Sequence, residues 1–242
     1  MISHPVPRRG GARLRGVEKT YGSGEAAVHA LRGVDLDIPA GELVAVLGAS
    51  GSGKTTLLNI VGGIESADAG SITVAGQDIS GRHPSALGEF RRRHVGFVFQ
   101  FFNLVPSLTA RENVEVIIEL TGRGDRRRVP DLLAAVGMPD RADHFPAQLS
   151  GGQQQRISIA RSLATDPDLL LADEPTGALD VATGRGVLAL LQRTARAGRT
   201  VVMVTHNEAA AAIADRVVRM RDGCIVADEP NAAPADAATV RW

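Results

Sequence analysis

The sequence predicts an α/β fold with a mostly parallel central sheet, an N-terminal antiparallel β subdomain and an inserted helical subdomain. Three observations support this prediction. Strand-like apolar runs alternate with helical patterns along most of the chain, an order that gives parallel strands joined by right-handed crossovers. The run ELVAVLG (42–48) is apolar almost throughout, as in a strand buried on both faces. Between about residues 101 and 165 the pattern is helical only, so we expect this stretch to be inserted into the sheet-forming core.

Each predicted element has its own sequence pattern. Alternating or continuous apolar runs predict strands at residues 13–21, 28–38, 42–48, 71–79 (a pair around a turn), 94–100, 169–173 and 200–205. Helical periodicity predicts helices at residues 54–64, 113–120, 129–138, 150–166 and 181–197. The first two strands are expected to be antiparallel, and Thr109 and Glu112 form a capping box ahead of the second helix.

The composition restricts the class of protein. The chain has 242 residues, 44% of them hydrophobic, which is enough for one substantial core. Lys and Arg balance Asp and Glu at 27 each, so the charge does not predict a nucleic-acid partner. A single cysteine, Cys224, excludes an intramolecular disulfide framework and fits a reducing cytoplasm. No apolar run is long enough to span a bilayer, and the N-terminus lacks a signal-peptide pattern, so we expect any spanning helices to come from another polypeptide.

The two ends of the chain differ from the rest in composition. Residues 1–11 are polar and proline-bearing, and residues 227–242 are rich in Ala, Pro and Asp. Such segments bury little apolar surface, which predicts a flexible N-terminus and a flexible C-terminal tail around a domain at 12–226.

The stretch GASGSGKTT (48–56) matches the pattern G-x-x-x-x-G-K-[ST], with a buried strand before it and a helix after it. This predicts a P-loop NTPase core. Glycines let backbone N–H groups converge on a phosphate, and the helix N-terminus adds partial positive charge. Lys54 is expected to reach the β- and γ-phosphate oxygens, and the Thr55 hydroxyl to ligate Mg²⁺. The expected nucleotide-binding residues of this loop are Gly48, Ser50, Gly51, Ser52, Gly53, Lys54, Thr55 and Thr56.

A second stretch, DLLLADEPTGALD (168–180), places two carboxylates at the end of an apolar strand. Ligands bind at the carboxyl ends of strands in open α/β sheets. Asp173 is therefore expected to hold Mg²⁺ through water, and Glu174 to orient and deprotonate the water that attacks the γ-phosphate. Alone, Asp-Glu-Pro after a strand could instead form a helix-capping turn. A P-loop in the same chain favours the nucleotide interpretation.

A second predicted anion site lies at LSGGQQQR (149–156), where a serine and two glycines precede a helix. A P-loop already accounts for the α- and β-phosphates, so this site would be redundant within one subunit. The two sites make sense if they belong to different copies of the protein. Ser150, Gly151 and Gly152 would then face the γ-phosphate bound by a neighbour's P-loop, and a two-fold dimer would form two such composite sites.

LSGGQQQR, the P-loop and LLLADEPTGALD together resemble the nucleotide-binding subunit of an ABC transporter, over about residues 12–226. The resemblance implies ATP and Mg²⁺ as cofactors and a homodimer around two ATP. It also implies that Leu149 through Gln153 form the family signature, so Gln153 joins the residues expected at the nucleotide.

The resemblance assigns four further residues that would be unremarkable alone. It implies that Tyr21 stacks on adenine, and that Gln100 touches the Mg²⁺ and its water and contacts the membrane partner. It implies that Asp180 crosses the dimer interface and that His206 contacts the γ-phosphate. A lone Tyr near a strand end is usually a packed edge residue, and a lone His is more often a cap, so only the full set of motifs supports these roles.

Two stretches, FVFQFFNLVPSLTARENV and DEPTGALD, are similar to the branch that energises lipoprotein release, macrolide and peptide export, and a related cell-division pair. The resemblance implies a cytoplasmic ATPase, peripheral on the inner face of the cell membrane. It would act through a separate transmembrane permease, which determines the substrate, and would not bind nucleic acid. The segment at residues 121–133 is a few residues shorter than is usual in this branch. Ser162 stands where the family more often has alanine.

Other functions are compatible with part of this pattern. The ATPase subunit of an amino-acid or ion importer would share every catalytic motif. A soluble ABC ATPase of DNA repair or translation is disfavoured because the sequence has no heptad run, no paired cysteines and no basic excess. A catalytically silent regulator is disfavoured by the presence of Lys54, Asp173, Glu174 and His206.

Overall fold

The computed structural model describes residues 10–241, apart from the side chain of Glu25. The strands, in chain order, are β1 (Ala12–Tyr21), β2 (Val28–Ile38), β3 (Leu43–Leu47), β4 (Ala69–Val74), β5 (Gln77–Asp78), β6 (Val95–Val98), β7 (Leu169–Asp173), β8 (Thr200–Thr205), β9 (Arg216–Arg221) and β10 (Cys224–Pro230). The α-helices are α1 (Lys54–Val61), α2 (Gly88–His94), α3 (Ala110–Thr121), α4 (Val129–Ala135), α5 (Gly151–Ser162), α6 (Val181–Arg196) and α7 (Glu208–Ala211). Short 3₁₀ turns connect several of them.

These strands form two sheets over the described residues. The N-terminal sheet has the order β2-β1-β4-β5, and its neighbours are all antiparallel. The main sheet has the order β10-β9-β3-β8-β7-β6. Its pairs are parallel except for β9 and β10, which are antiparallel. The predicted fold class is confirmed.

The main sheet is covered on both faces, which explains the unbroken apolar run of β3. Leu43, Ala45 and Leu47 belong to a core cluster with α3, α4, α5 and α6. Val44 and Val46 point the other way, into a cluster with α1 and the N-terminal sheet. Successive strand residues alternate between faces, so a strand with a core on each side needs apolar residues at every position.

The helical subdomain is inserted between neighbouring strands of the main sheet. β6 and β7 pair in parallel, and α3, α4 and α5 lie between them in the chain. Helix α3 begins with the predicted capping box: Glu112 N donates to Thr109 Oγ1 and Thr109 N donates to Glu112 Oε2. No helix among residues 10–241 combines the length and apolar character that crossing a membrane requires.

Some element boundaries differ from the sequence prediction. Helix α1 ends at Val61, because Gly62 caps it and the next residue, Gly63, adopts a left-handed conformation (φ 67°). Helix α5 ends at Ser162 instead of continuing to residue 166, where Asp166 adopts a left-handed backbone conformation (φ 54°). The prediction also missed α2 and β9, whose arginine-rich sequences lack a clear apolar period.

The C-terminal segment differs from the flexible tail predicted at 227–242. Strand β10 continues to Pro230 and pairs with β9 from Cys224 to Pro230, with one register shift at Val226. Beyond it, Ala237 and Val240 are buried in the same core cluster as α6. The predicted flexible N-terminus lies almost entirely outside the described residues, which begin at Gly10.

Side chains of α6 hold the backbone of this segment. Gln192 Nε2 donates to Ala235 O at 3.0 Å, and Arg185 Nε donates to Val240 O at 2.6 Å. An Ala- and Pro-rich composition predicts disorder because such residues bury little area. Here Ala237 is buried in the core cluster despite its small side chain, and donors from α6 satisfy two backbone carbonyls of the segment, neither of which composition reveals.

We expect Ala237→Asp to lower the free energy of unfolding by about 1–3 kcal/mol, because it either buries an unpaired carboxylate or detaches the segment from α6. Ala238→Asp is the matched control, since residue 238 is exposed, and should change stability by less than about 0.5 kcal/mol. Urea denaturation followed by circular dichroism measures both. Equal stability of the two variants would show that the segment is not docked.

Candidate functional site

The loop at residues 48–53 connects the carboxyl end of β3 to the first residue of α1. Gly53 adopts a left-handed conformation (φ 100°), and a Cβ there would lie 2.3 Å from Ala30 O in β2. A Cβ on Gly48 would lie 2.4 Å from Met220 O in β9. The loop is therefore packed against two strands in a conformation that only glycine permits at these positions. Its backbone has the geometry of a phosphate-binding loop, with a helix N-terminus behind it.

Lys54, the first residue of α1, is buried at 7% exposure. Its Nζ donates to the carbonyls of Gly48 and Ala49, each at 2.8 Å, so the ammonium group lies along the loop. Burial lowers the pKa of Lys54, while Glu174 and Asp173 act in the opposite direction. The loop thus holds a cation beside the backbone that would receive a phosphate.

Strand β7 ends at Asp173, opposite the loop. Thr55 Oγ1 donates to Asp173 Oδ1 at 3.2 Å, and burial raises the pKa of this carboxyl group. The described residues contain no cluster of three or more His, Cys, Asp or Glu side chains placed to hold a metal. One hydroxyl and one carboxylate leave most positions of an octahedral ion to water and ligand oxygens, which is the way Mg²⁺ usually binds.

Glu174 follows Asp173 and has a left-handed backbone conformation (φ 43°), which is uncommon for a residue other than glycine. Its backbone N donates to Val204 O at 3.0 Å, which fixes the turn against β8. Its Oε1 lies within hydrogen-bond distance, 2.9 Å, of His206 Nδ1. His206 directly follows β8, and its side chain is 66% exposed while that of Glu174 is mostly buried. The pair therefore forms an edge of the site that is open to solvent.

These groups share one cleft of about 1230 Å³. The predicted site residues that line it are Tyr21, Ser50, Gly51, Gly53, Lys54, Thr55, Thr56, Gln100, Asp173, Glu174 and His206. Gly48 and Ser52 lie on the other side of the loop, in an adjoining hollow. The cleft is also lined by Val28, His29 and Arg32, which were not predicted from the sequence. The antiparallel pairing of β1 with β2 could have indicated Val28, because it places Val28 opposite the predicted site residue Tyr21.

The remaining predicted residues lie elsewhere. Among the described residues, Ser150, Gly151, Gly152, Gln153 and Asp180 are not part of the lining of this cleft. Ser150 and Gln153 form a capping box at the start of α5, in which Ser150 N donates to Gln153 Oε1 at 2.9 Å. Asp180 caps α6 by accepting from Thr183 N at 3.0 Å, and the hydrogen bond from the Thr183 side chain, followed by this backbone bond, lowers the pKa of Asp180. Within one chain, these residues therefore lie outside the cleft that contains the P-loop.

Two further residues of α5, both missed in the sequence analysis, connect that helix to the cleft. The buried Gln155 donates through Nε2 to Phe99 O at 3.3 Å and to Pro175 O at 3.0 Å. Arg161 donates through Nη2 to Phe102 O at 2.9 Å. Helix α5 thus holds the backbone on both sides of Gln100 and the turn after Glu174. The sequence could have indicated Gln155 and Arg161, because polar residues on an otherwise buried helix face need hydrogen-bond partners.

The loop between the parallel strand β3 and helix α1 is that of a P-loop protein, and the cleft beside it is the candidate nucleotide site. Residues 31–177 match the family model described as ABC transporter. The match covers more than half of the chain, and the chain belongs to the ABC transporter family. The resemblance stated from the sequence is therefore confirmed.

Curated relatives include two macrolide export ATP-binding/permease proteins, both MacB. The protein from Escherichia coli (strain K12) is 47% identical over 220 residues, which are 90% of this chain and 34% of that protein. The protein from Rhodopseudomonas palustris (strain HaA2) is 48% identical over 243 residues, which are 95% of this chain and 37% of that protein. The chain spans about a third of the length of these relatives.

Two solved structures are similar over nearly their whole length. One is the dimeric post-hydrolysis state of the ATP-binding cassette MJ0796 bound to ADP and Pi, with 40% identity and a TM-score of 0.84. The other is the dimeric structure of MJ0796 as a bacterial ABC transporter cassette, with 41% identity and a TM-score of 0.83. Each match covers 92% of this chain and 99% of the solved chain.

Gly152 has a steric role within its own chain that can be tested. A Cβ there would lie 1.8 Å from Cγ2 of Thr183, so we expect Gly152→Ala to force α5 and α6 apart and to lower the free energy of unfolding by about 1–3 kcal/mol. Adding Thr183→Ala removes Cγ2 and should restore most of the loss. Gly151→Ala is the matched control, because the nearest atom to a Cβ there is 3.4 Å away. Chemical denaturation measures the series, and a double variant no more stable than Gly152→Ala would contradict the steric explanation.

Proposed function

We propose that this chain is the ATP-hydrolysing, nucleotide-binding subunit of an ABC transporter. In this proposal it dimerises around two ATP and drives a separate permease that exports, or mechanically releases, lipoprotein, peptide or drug substrates. The observation that carries the proposal is the division of the motifs in space. The P-loop, both carboxylates and His206 share one cleft, whereas the Ser150 helix start and Asp180 lie outside it.

ATP binding is assigned to the cleft as follows. The amides of the P-loop and Lys54 bind the β- and γ-phosphates, Ser50 and Thr56 line the phosphate site, and Tyr21 stacks on adenine. Mg²⁺ would be held by Thr55 and Gln100 and, through water, by Asp173, and it would offset phosphate charge. The direct contact between the Thr55 hydroxyl and Asp173 supports this assignment, because both oxygens are of the type that Mg²⁺ prefers.

Hydrolysis is assigned to Glu174. Its carboxylate takes a proton from the water that attacks the γ-phosphorus, the bond to the bridging oxygen breaks, and ADP and inorganic phosphate form. His206 contacts the γ-phosphate. The hydrogen bond between His206 Nδ1 and Glu174 Oε1 holds both groups at one place, which supports joint action on the same phosphate.

The second anion site is assigned to the partner subunit's nucleotide. Ser150, Gly151, Gly152 and Gln153 of one copy would face the γ-phosphate in the other, with Asp180 crossing the interface. The capped N-terminus of α5 provides backbone N–H groups and a favourable dipole for this purpose. MJ0796, which is 40% identical, has been solved as a dimer, which supports the same arrangement here.

A permease partner is supported by the surface beside Gln100. Phe101, the next residue, is 75% exposed, and Val105 in the same connection is also exposed. Apolar groups exposed together are typical of a docking surface. Relatives that carry an ATP-binding part and a permease in one chain are named for macrolide export, which favours export over the importer alternative. The chain would then be attached to the inner face of the cell membrane, from the cytoplasm, through the permease.

We expect Lys54→Ala to remove nearly all ATP hydrolysis, because the only cation along the loop is lost from the phosphate site. The fold should persist, since the flanking strand and helix are held by core contacts. Steady-state phosphate release measures activity, and thermal melting checks folding. Arg196→Ala, which removes an exposed cation from α6, is the control and should retain activity. Retention of most activity by Lys54→Ala would refute the phosphate assignment.

Glu174→Gln tests the proposed hydrolytic role. The amide keeps the shape and most hydrogen bonds but cannot accept the proton, so hydrolysis should slow by about 10²–10⁴-fold. ATP would still bind and bridge two subunits, so a stable dimer should accumulate in Mg-ATP but not in Mg-ADP. Gel filtration measures this.

Asp173→Asn is the matched comparison for the same experiment. It also neutralises one carboxylate of the cleft, but it should weaken Mg²⁺ binding and with it the dimer. A Glu174→Gln protein that stays monomeric in Mg-ATP, or that hydrolyses at the wild-type rate, would show that Glu174 is not the base.

A further inference from the structure

The hydroxyl group of Tyr21 is held at the edge of the cleft. Tyr21 Oη donates to a carboxylate oxygen, Oε2, of Glu65 and lies 3.3 Å from Thr56 Oγ1. Burial, followed by the contact with Glu65, raises the pKa of Tyr21, so the phenol keeps its proton and remains a donor. Tyr21 closes β1 in the N-terminal sheet, whereas Thr56 lies in the P-loop helix. The contact therefore joins the hairpin to α1.

Glu65 is itself anchored to α1. Its second oxygen, Oε1, accepts from Asn59 Nδ2 at 2.8 Å, and its backbone N donates to Asn59 O at 3.3 Å. Both carboxylate oxygens therefore accept a hydrogen bond, Oε1 from Asn59 of α1 and Oε2 from Tyr21. A carboxylate fixed in this way constrains the position of the hydroxyl it binds.

The ring of Tyr21 is also constrained on its face. Lys19 Nζ lies 5.6 Å from the ring centroid, and Lys19 is in turn paired with Asp68 at 2.9 Å. Tyr21 nevertheless remains 40% exposed and lines the cleft together with Val28 and His29. An aromatic ring that is fixed at its hydroxyl and beside a cation, yet exposed to a cleft, is arranged to stack on a planar group.

We propose that Glu65 is a positioning residue for nucleotide binding, which fixes the Tyr21 ring in the orientation that stacks on the base. This inference rests on the proposed function, which assigns ATP to the cleft. Without Glu65 the tyrosine would sample other rotamers, and ordering its side chain would oppose binding of the base. The phosphates are bound elsewhere, by the P-loop, so their binding should not depend on Glu65.

Steady-state kinetics with Mg-ATP provide the first test. Glu65→Ala should raise KM for ATP by about 3–10-fold while kcat changes less than about twofold, because only ground-state binding is affected. Glu65→Gln keeps an acceptor oxygen for one of the two donors, Tyr21 or Asn59, and should raise KM less than Glu65→Ala. Loss of a negative charge beside a polyanion would by itself favour binding, so a higher KM in Glu65→Ala cannot be a charge effect. Glu18→Ala removes an exposed carboxylate from the strand of Tyr21 and should leave KM unchanged or lower.

A double-mutant cycle separates the proposed role from a general loss of structure. Tyr21→Phe removes only the hydroxyl and should raise KM about as much as Glu65→Ala. In the Tyr21→Phe protein, adding Glu65→Ala should have no further effect. Independent, multiplicative losses would overturn the proposal, as would a Glu65→Ala protein with wild-type KM.

Competition with inorganic tripolyphosphate, which has no base, provides the second test. The affinity for tripolyphosphate should be the same in wild type and Glu65→Ala. An equal loss of affinity for ATP and for tripolyphosphate would mean that Glu65 acts on the phosphate loop through Asn59, and would overturn the proposal.

Tyr21→Ala separates this inference from the proposed function. If Tyr21→Ala raises KM and Glu65→Ala does not, only the role of Glu65 is refuted. If Tyr21→Ala leaves KM unchanged, the stacking role of Tyr21 and the positioning role both fail, and a wild-type protein without ATPase activity refutes the proposed function itself.

Discussion

The parallel pairing of β8 with β3 on one side and β7 on the other is the constraint on which the site depends. In this register Leu47 lies opposite Thr205, and Asp173 lies opposite Val204. All three strands therefore end at the same edge of the sheet, and the residue that follows each strand begins a segment of the candidate site. Gly48 begins the loop, Glu174 follows Asp173, and His206 follows Thr205. Residues far apart in sequence are brought together by main-chain hydrogen bonds alone, before any side chain is placed.

Helix α5 adds a connection that the sheet does not provide. Its N-terminus holds the signature residues, and its later turns bind the backbone around Gln100 and the turn after Glu174 through Gln155 and Arg161. In the proposed function, the N-terminus of α5 meets the partner's ATP while the loop after Gln100 meets the permease. Hydrogen bonds from one rigid helix to both regions offer a physical route by which closure of the dimer would move the permease-facing surface.

The sequence predicted the features that depend on local chemistry. The apolar run of β3 requires a strand with a core on each face, and the glycines around Lys54 require a tight loop, so both could be recognised without tertiary information. The prediction failed where contacts between distant residues decide the structure. Residues 227–242 were expected to be flexible because their composition is poor in large apolar groups, yet donors on α6 bind the carbonyl groups of Ala235 and Val240 within the described part of this segment. The contact between Tyr21 and Glu65 was missed for the same reason, since strands β2 and β3, the P-loop and helix α1 lie between them in the sequence.

The charges in the cleft explain why the proposed ligand would need a cation and a second subunit. A triphosphate entering this site approaches Asp173 and Glu174, whose negative charges oppose it. Lys54 offsets part of this repulsion, but burial already disfavours its charged form and also disfavours the charged form of Asp173. A divalent ion between Thr55, Asp173 and the phosphates would reverse the effect of that carboxylate, turning it from a repelling group into a ligand. In the proposed function the γ-phosphate would still face Glu174, and the N-terminal dipole of the partner's α5 would supply positive potential on that side. The carboxylate proposed as the base would therefore make tight binding depend on the partner copy, and this dependence would couple dimer formation to the presence of a γ-phosphate.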